Sequence, residues 1–303
     1  MRTRERTTVN TYQFIADQAA QHAIRLLCRM LGVSRSGYFA WRNRPPAARA
    51  RADQALTERI RQIHAHSRQT YGSIRVRAAL RERGEAVGRR RVARLMRRAG
   101  LRGVHGQRRR VRTTVADPRT APAPDRVERA FTPAAIGGPD RLWLADISYI
   151  PTREGWLFLA IILDGFSRRV VGWAMADNLQ TELVLAALRL ALQRRRPPAG
   201  LIHHSDRGCQ YTSLAFGQHL RASGLVASTG SVGDCYDNAV AESFFATLKV
   251  ELVDRHDWPT RAAAQAAIFE YIEVWYNRQR LHSTLGYLSP MQFETRAQAG
   301  IAA

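Results

Sequence analysis

Asp146, Asp206 and Glu242 are three carboxylates whose spacing reads as one two-metal site, and the chain's sole lysine, Lys249, lies seven residues beyond the last of them. Hard divalent cations such as Mg2+ take oxygen ligands and bridge protein carboxylates to phosphate oxygens, so this set points to phosphate chemistry. Taken singly, each residue has an ordinary reading. Asp146 could cap a turn, Asp206 could begin the Ser205-Asp206-Arg207-Gly208 turn, and Glu242 could pair with Lys249. The metal reading therefore depends on whether the chain brings the three together.

The surrounding pattern has the elements for that. Strand-like runs cover Leu142 to Ile150, Trp156 to Asp164 and Arg169 to Met175, separated by short turns, which predicts a meander. After them come a helix over Thr181–Gln193, a strand over Leu201–Asp206, a helix over Leu214–Ala222, a strand over Leu225–Thr229 and a helix over Asn238–Leu252. A further long helix spans about Arg261 to Asn277. The order βββαβαβα is that of a ribonuclease H-like α/β core, a five-stranded mixed sheet with flanking helices. In such a sheet the first and fourth strands pair, which makes Asp146 and Asp206 neighbours. On the helix over Asn238–Leu252, at about 100° per residue, Ala241, Phe245, Leu248 and Leu252 form the core stripe. Asn238, Glu242 and Lys249 stack about 80° round from it.

Upstream the periodicity is helical. Ile24, Leu27, Leu31, Tyr38 and Trp41 recur between Tyr12 and Arg42, Gly32 breaks the run and Ser34 can cap a second helix, which outlines a helix-turn-helix. Pro45 and Pro46 close that unit. A second one has apolar faces at Leu56, Ile60 and Ile63, at Val76 and Leu80, and at Val92, Leu95 and Met96. Between Arg81 and Arg112 stand 13 Arg against Glu82 and Glu85. Arg89, Arg90, Arg94 and Arg97, on the polar side of the Arg89–Arg98 helix, are candidate DNA phosphate contacts. The expected organisation is a helix-turn-helix-like segment over 1–46, a basic helical DNA-binding domain over 47–112, a Pro-rich linker over 113–140 and the catalytic core with its C-terminal helix over 141–295.

Composition bounds the partner. A net charge of +22 and pI near 11.4 favour a polyanion, most simply nucleic acid, while 45% hydrophobic residues exclude a mostly disordered chain. Cys28, Cys209 and Cys235 support neither a disulfide framework nor a zinc site and read as small buried side chains. Met1–Thr8 lacks a signal-peptide core and Trp156–Leu163 is too short to span a bilayer, so a cytoplasmic, nucleoid-associated location with no membrane partner is expected. His203 and His204 read as packing or hydrogen-bonding residues, and Trp156, Trp173 and Trp275 as core or interface aromatics.

The stretches Trp143–Ile150, Asp164–Trp173, His204–Tyr211, Cys235–Lys249 and Tyr276–Pro290, with Leu31–Tyr38 and Arg91–Leu101 upstream, carry a specific likeness. Over nearly its whole length the chain resembles the larger reading-frame product of insertion-sequence-three family transposases, and more broadly the DDE transposases and retroviral integrases. The resemblance implies that Asp146, Asp206 and Glu242 bind two Mg2+ or Mn2+ ions for strand cleavage and transfer at the ends of an insertion sequence. It implies that Lys249, and with it Asn238, contacts terminal nucleotides. It also implies double-stranded DNA as partner, both element ends and target, a homo-oligomer on that DNA, and an upstream-frame protein or frameshift fusion partner. Two positions depart from the family pattern. Ser231-Val232-Gly233 lacks the usual basic residue, which could weaken a DNA contact, and Gly165 replaces a larger apolar residue, which could loosen the meander. A catalytically silent DNA-binding regulator is the alternative function, and a plain ribonuclease H or junction nuclease explains the core but not the two upstream helical units.

Overall fold

The computed structural model describes residues 2–45, 47–105, 126–127, 131–206, 208–230 and 239–301. Its contacts divide the chain into two units, Met1–Arg59 and Ile60–Ala303. Asn238, Cys235 and the Ser231-Val232-Gly233 departure lie outside the described residues, as does most of the expected linker.

The first unit contains α1 (Arg2–Gln18), α2 (Ile24–Met30), α3 (Arg35–Arg42) and the first part of α4 (Ala48–His66). Ile15, Leu27, Cys28 and Tyr38 form its core, with Tyr12, Ile24 and Trp41 packed against them. Ser34 caps α3 as its type predicts, accepting a hydrogen bond from the Gly37 amide at 3.0 Å. Gly32 takes a left-handed φ of 66°, which ends the preceding helix. Leu31, expected on the apolar stripe, is 40% exposed, because α2 stops at Met30 and Leu31 no longer follows the helical face.

In the second unit the rest of α4 is followed by α5 (Ser73–Glu82), α6 (Arg89–Arg98) and the short α7 (Pro133–Ile136). Ile60, Ile63, Val76, Leu80, Val92, Leu95 and Met96 are all buried, matching the three apolar faces read from the sequence. Thr132 caps α7 and Pro133 opens it, so the far end of the expected linker is partly helical.

The sheet comprises β1 (Leu142–Thr152), β2 (Gly155–Asp164), β3 (Val170–Ala176), β4 (Ile202–Ser205) and β5 (Val226–Thr229) in the order β3-β2-β1-β4-β5. The meander β1–β2–β3 is antiparallel, while β4 and β5 add in parallel on the other side of β1. This is the ribonuclease H-like arrangement. β2 reads as a nearly continuous apolar run because residues from Leu157 to Leu163 are covered on both faces of the sheet. α8 (Thr181–Arg195) lies across β2 and β3, α9 (Leu214–Ala222) precedes β5, and α10 (Ala239–Glu251) packs on β1. Gly172 lets α8 approach β3, since a Cβ there would collide with the Ala187 carbonyl and the Ala191 methyl. Gly165 also fills a tight place: its amide donates to Leu142 O at 2.8 Å, and a Cβ would meet Ile136 at 3.1 Å. It closes the meander rather than loosening it.

The expected helix over Arg261–Asn277 is α11 (Arg261–Glu270) continued by a π-helical turn, Tyr271–Tyr276. That wider turn places Tyr271, Ile272, Trp275 and Tyr276 all inside. Just beyond it, Asn277 clamps β3, accepting from the Val170 amide and donating to its carbonyl, each at 2.9 Å. α12 (Pro290–Ile301) completes the described chain.

Candidate active site

Strand register brings the two aspartates to neighbouring strands. In the parallel ladder Leu142 faces Ile202, Trp143 faces His203, Leu144 faces His204 and Ala145 faces Ser205. The next residue on each chain is Asp146 and Asp206. β4 ends there, so on that side Asp146 has no further ladder partner, and its Oδ1 accepts instead from its neighbour's amide, Ile147 N, at 2.8 Å. Asp206 heads a tight turn in which Gly208 N donates to its Oδ1 at 3.0 Å. A side chain at Gly208 would press on that same oxygen, its Cβ 3.1 Å away. Glu242 stands in the first turn of α10, and the buried stripe of that helix is Ala241, Phe244, Phe245 and Leu248.

The electrostatics reflect the convergence. Burial, then the Asp206 charge, push the Asp146 carboxyl up to about 8; Glu242 adds to the rise, and the Ile147 amide and the Lys249 ammonium oppose it. Burial likewise raises Asp206 against its Gly208 hydrogen bond, and partial burial followed by Asp206 raises Glu242. Lys249 is half-buried and makes no ion pair with Glu242 among the described residues, and its charge acts on Asp146. Among the described residues no three His, Cys, Asp or Glu side chains are grouped as a preformed metal cage. The three carboxylates thus repel one another without closing on a common point. Their donor chemistry fits a hard divalent cation, whose charge would relieve the repulsion that lifts Asp146.

Tyr211 has no role assigned from the sequence, although it ends one of the matched stretches. It is 9% exposed, and its phenol is raised well above the usual range by burial and then by Asp146 and Asp206, so it lies close to both aspartates. His203 packs between Tyr211 and Phe216, with ring centroids 6.2 and 5.3 Å away, and burial holds it neutral, with a pKa lowered to about 4. His204 Nδ1 lies 2.9 Å from Ser228 Oγ. Both histidines thus have the packing and hydrogen-bonding places expected of them. Cys28 is buried, but Cys209, expected to be buried, is exposed, because it falls in the turn after Asp206 rather than on an element. Trp275 is buried against Tyr71, Trp173 donates to Glu273 at 2.7 Å, and Trp156 is exposed.

On α6, Arg89, Arg90 and Arg97 are exposed opposite the buried Val92, Leu95 and Met96, whereas Arg94 is half-buried. No helix of the described residues is long and apolar enough to cross a membrane.

Family models match in three places: an HTH-like domain over residues 51–110 and an integrase core domain over 137–235 and again over 242–297. The chain is 43% identical to the insertion element IS600 uncharacterized 31 kDa protein of Shigella sonnei, over 89% of this chain and 98% of that one. It is 40% identical to the transposase for insertion sequence element IS629 of Shigella sonnei, over 93% and 94% of the two chains. With the transposase InsF for insertion sequence IS3A of Escherichia coli strain K12 it shares 37% identity over 94% and 98%. Among solved structures, it is similar to the HTLV-2 integrase catalytic core domain in complex with magnesium, with a TM-score of 0.39 and 17% identity over 52% of this chain and 97% of that one.

Proposed function

The chain belongs to the IS3 family of transposases, enzymes of the DDE transposase and integrase class, and from that premise we propose that Asp146, Asp206 and Glu242 carry strand cleavage and strand transfer at the ends of an insertion sequence. The observation that supports this most is the β1–β4 register, whose last pair, Ala145 with Ser205, is followed on each strand's chain by Asp146 and Asp206. Together with Glu242 these residues would hold two Mg2+ or Mn2+ ions, which when bound activate the attacking water or 3′-hydroxyl and stabilise charge on the leaving 3′-oxygen.

The protein's own residues orient the DNA and exclude water. The Lys249 ammonium, whose charge acts on Asp146, would engage a phosphate of the terminal nucleotides, and Asn238 a neighbouring one. Buried Tyr211 lies close to both aspartates. Arg89, Arg90, Arg94 and Arg97 on α6 would run along the backbone of the end DNA, a contact that salt weakens. In this reading 1–46 and 47–112 recognise DNA, 113–140 links them to the core over 141–295, and the protein works as an oligomer on element ends and target, with an upstream-frame protein or frameshift fusion as partner.

Asp206→Asn tests the reading, because it removes a ligand and one charge while preserving size. Strand cleavage and joining should disappear while binding of end DNA, measured by gel shift, stays within about twofold. Full joining with Mg2+ by this variant would sink the proposal.

A further inference from the structure

Arg280 lies in a stretch that matches the family, but the reaction above gives it no task, and Glu251 has none there either. The structure joins them. Glu251 is the last residue of α10 and only 5% exposed. A carboxylate there opposes the helix dipole and loses its hydration, so it needs strong compensation. Arg280 supplies it through two nitrogens: Nε donates to both carboxylate oxygens, at 2.9 and 3.1 Å, and an Nη donates at 2.8 Å. The Tyr271 hydroxyl donates at 2.9 Å from the π-helical turn. Arg75 of α5 stands 3.6 Å away, an ion pair without a hydrogen bond. Tyr276 lies under the Arg280 guanidinium, 5.8 Å from ring centre to carbon, and His282 packs on Tyr276 at 4.9 Å.

Helix geometry gives this cluster a consequence at the site. Glu251 is nine residues beyond Glu242, which at about 100° per residue puts it on the opposite side of α10. Lys249 is seven beyond Glu242 and returns to the same side. A helix lying on a sheet can slide or roll at little cost if only apolar contacts hold it, because those contacts have no direction. A bidentate guanidinium pair does have direction. We propose that Glu251 is a positioning residue: clamped by Arg280 and Tyr271 on the back of α10, it fixes the roll of the helix and so the aim of Glu242 and Lys249 on the front. Arg75 extends the clamp to α5, within the region matched by the HTH-like model, so that a helix of the DNA-binding part touches the same carboxylate. The inference rests on the reading that Glu242 serves the reaction.

The experiment uses the full chain with end DNA and compares Glu251→Gln, Arg280→Lys and Glu242→Gln. Glu251→Gln should lower the single-turnover rate of strand transfer at saturating DNA by tenfold or more while leaving the KM for end DNA within twofold. Mn2+ binding to the protein alone, followed by electron paramagnetic resonance, should weaken severalfold in the same variant. Arg280→Lys keeps the charge but loses the fork, so it should show the same split with its melting temperature nearly retained, and it decides the matter if Glu251→Gln does not fold. Wild-type rate and Mn2+ affinity in a folded Glu251→Gln, or in Arg280→Lys, would overturn the inference, as would a raised KM with an unchanged rate. An active Glu242→Gln would instead overturn the reading of the site itself, whatever the other two variants do.

Discussion

The two ends of α10 handle carboxylates in opposite ways. Near its start, burial raises Glu242, Asp206 and Asp146 alike, and repulsion from the neighbouring carboxylates adds to the rise at Asp146 and Glu242, with the Lys249 ammonium opposing it at Asp146. At its end, Glu251 is more deeply enclosed, yet Arg280, Arg75 and the Tyr271 hydroxyl hold its carboxyl below the usual range. Burial acts in the same direction on both. What differs is the supply of donors, and that difference separates a group left without compensation, as a metal ligand would be on the proposed reading, from one satisfied within the fold.

The largest effects should come from exchanging these characters. Asp146→Asn should lower strand transfer by about a thousandfold or more, roughly 4 kcal/mol, without loss of stability, as read by single-turnover assay and thermal melting. Glu251→Ala should do the reverse in kind, costing about 3–5 kcal/mol of stability because it strands a buried guanidinium, as measured by urea unfolding. Equal stability losses in the two variants would erase the distinction between the ends.

Acidity gives a finer test. The folded pKa of Asp146, about 8, lies above the ordinary carboxylate value of 3.8, so its ionisation disfavours the fold. Metal-free protein should gain melting temperature as pH falls from above 8 toward 6, and Asp146→Asn should flatten that slope. Glu251 has the opposite sign: its contribution is present above 4.5 and is lost as pH falls below that value toward its depressed folded pKa. A melting profile that is flat between pH 8 and 6 in the wild type would break the contrast. The smallest effect should be that of Lys249→Ala. Its melting temperature should stay close to wild type, and strand transfer should fall about tenfold, near 1.4 kcal/mol, through loss of one charge-assisted contact.

The two ends are also unequally legible in the sequence. The front carboxylates can be placed because the strands are short runs bounded by turns, and the order of strands and helices matches a ribonuclease H-like core in which the first and fourth strands pair. Glu242 and Lys249 fall on the border of the core stripe for the same reason. Glu251 cannot be placed, since a glutamate at a helix end reads as a surface charge until its partner is known, and Arg280 is 29 residues away beyond two further elements. The π-helical turn that brings Tyr271 to it breaks the 3.6-residue period on which helix reading depends. Leu31 and Cys209 differ from expectation for simpler reasons: one lies just past a helix end, the other in a turn where neighbouring chain does not cover it.

The central position of β1 sets a schedule for synthesis. Asp146 leaves the ribosome with the meander, which is built from local antiparallel contacts, but its partner Asp206 arrives with β4, Glu242 later still, and Arg280 after that. An unfinished chain can therefore fold its first hairpins while holding one carboxylate of three. On the proposed reading, a nascent protein that reaches DNA through its basic helices at that stage still lacks two of the three carboxylates needed to cut it.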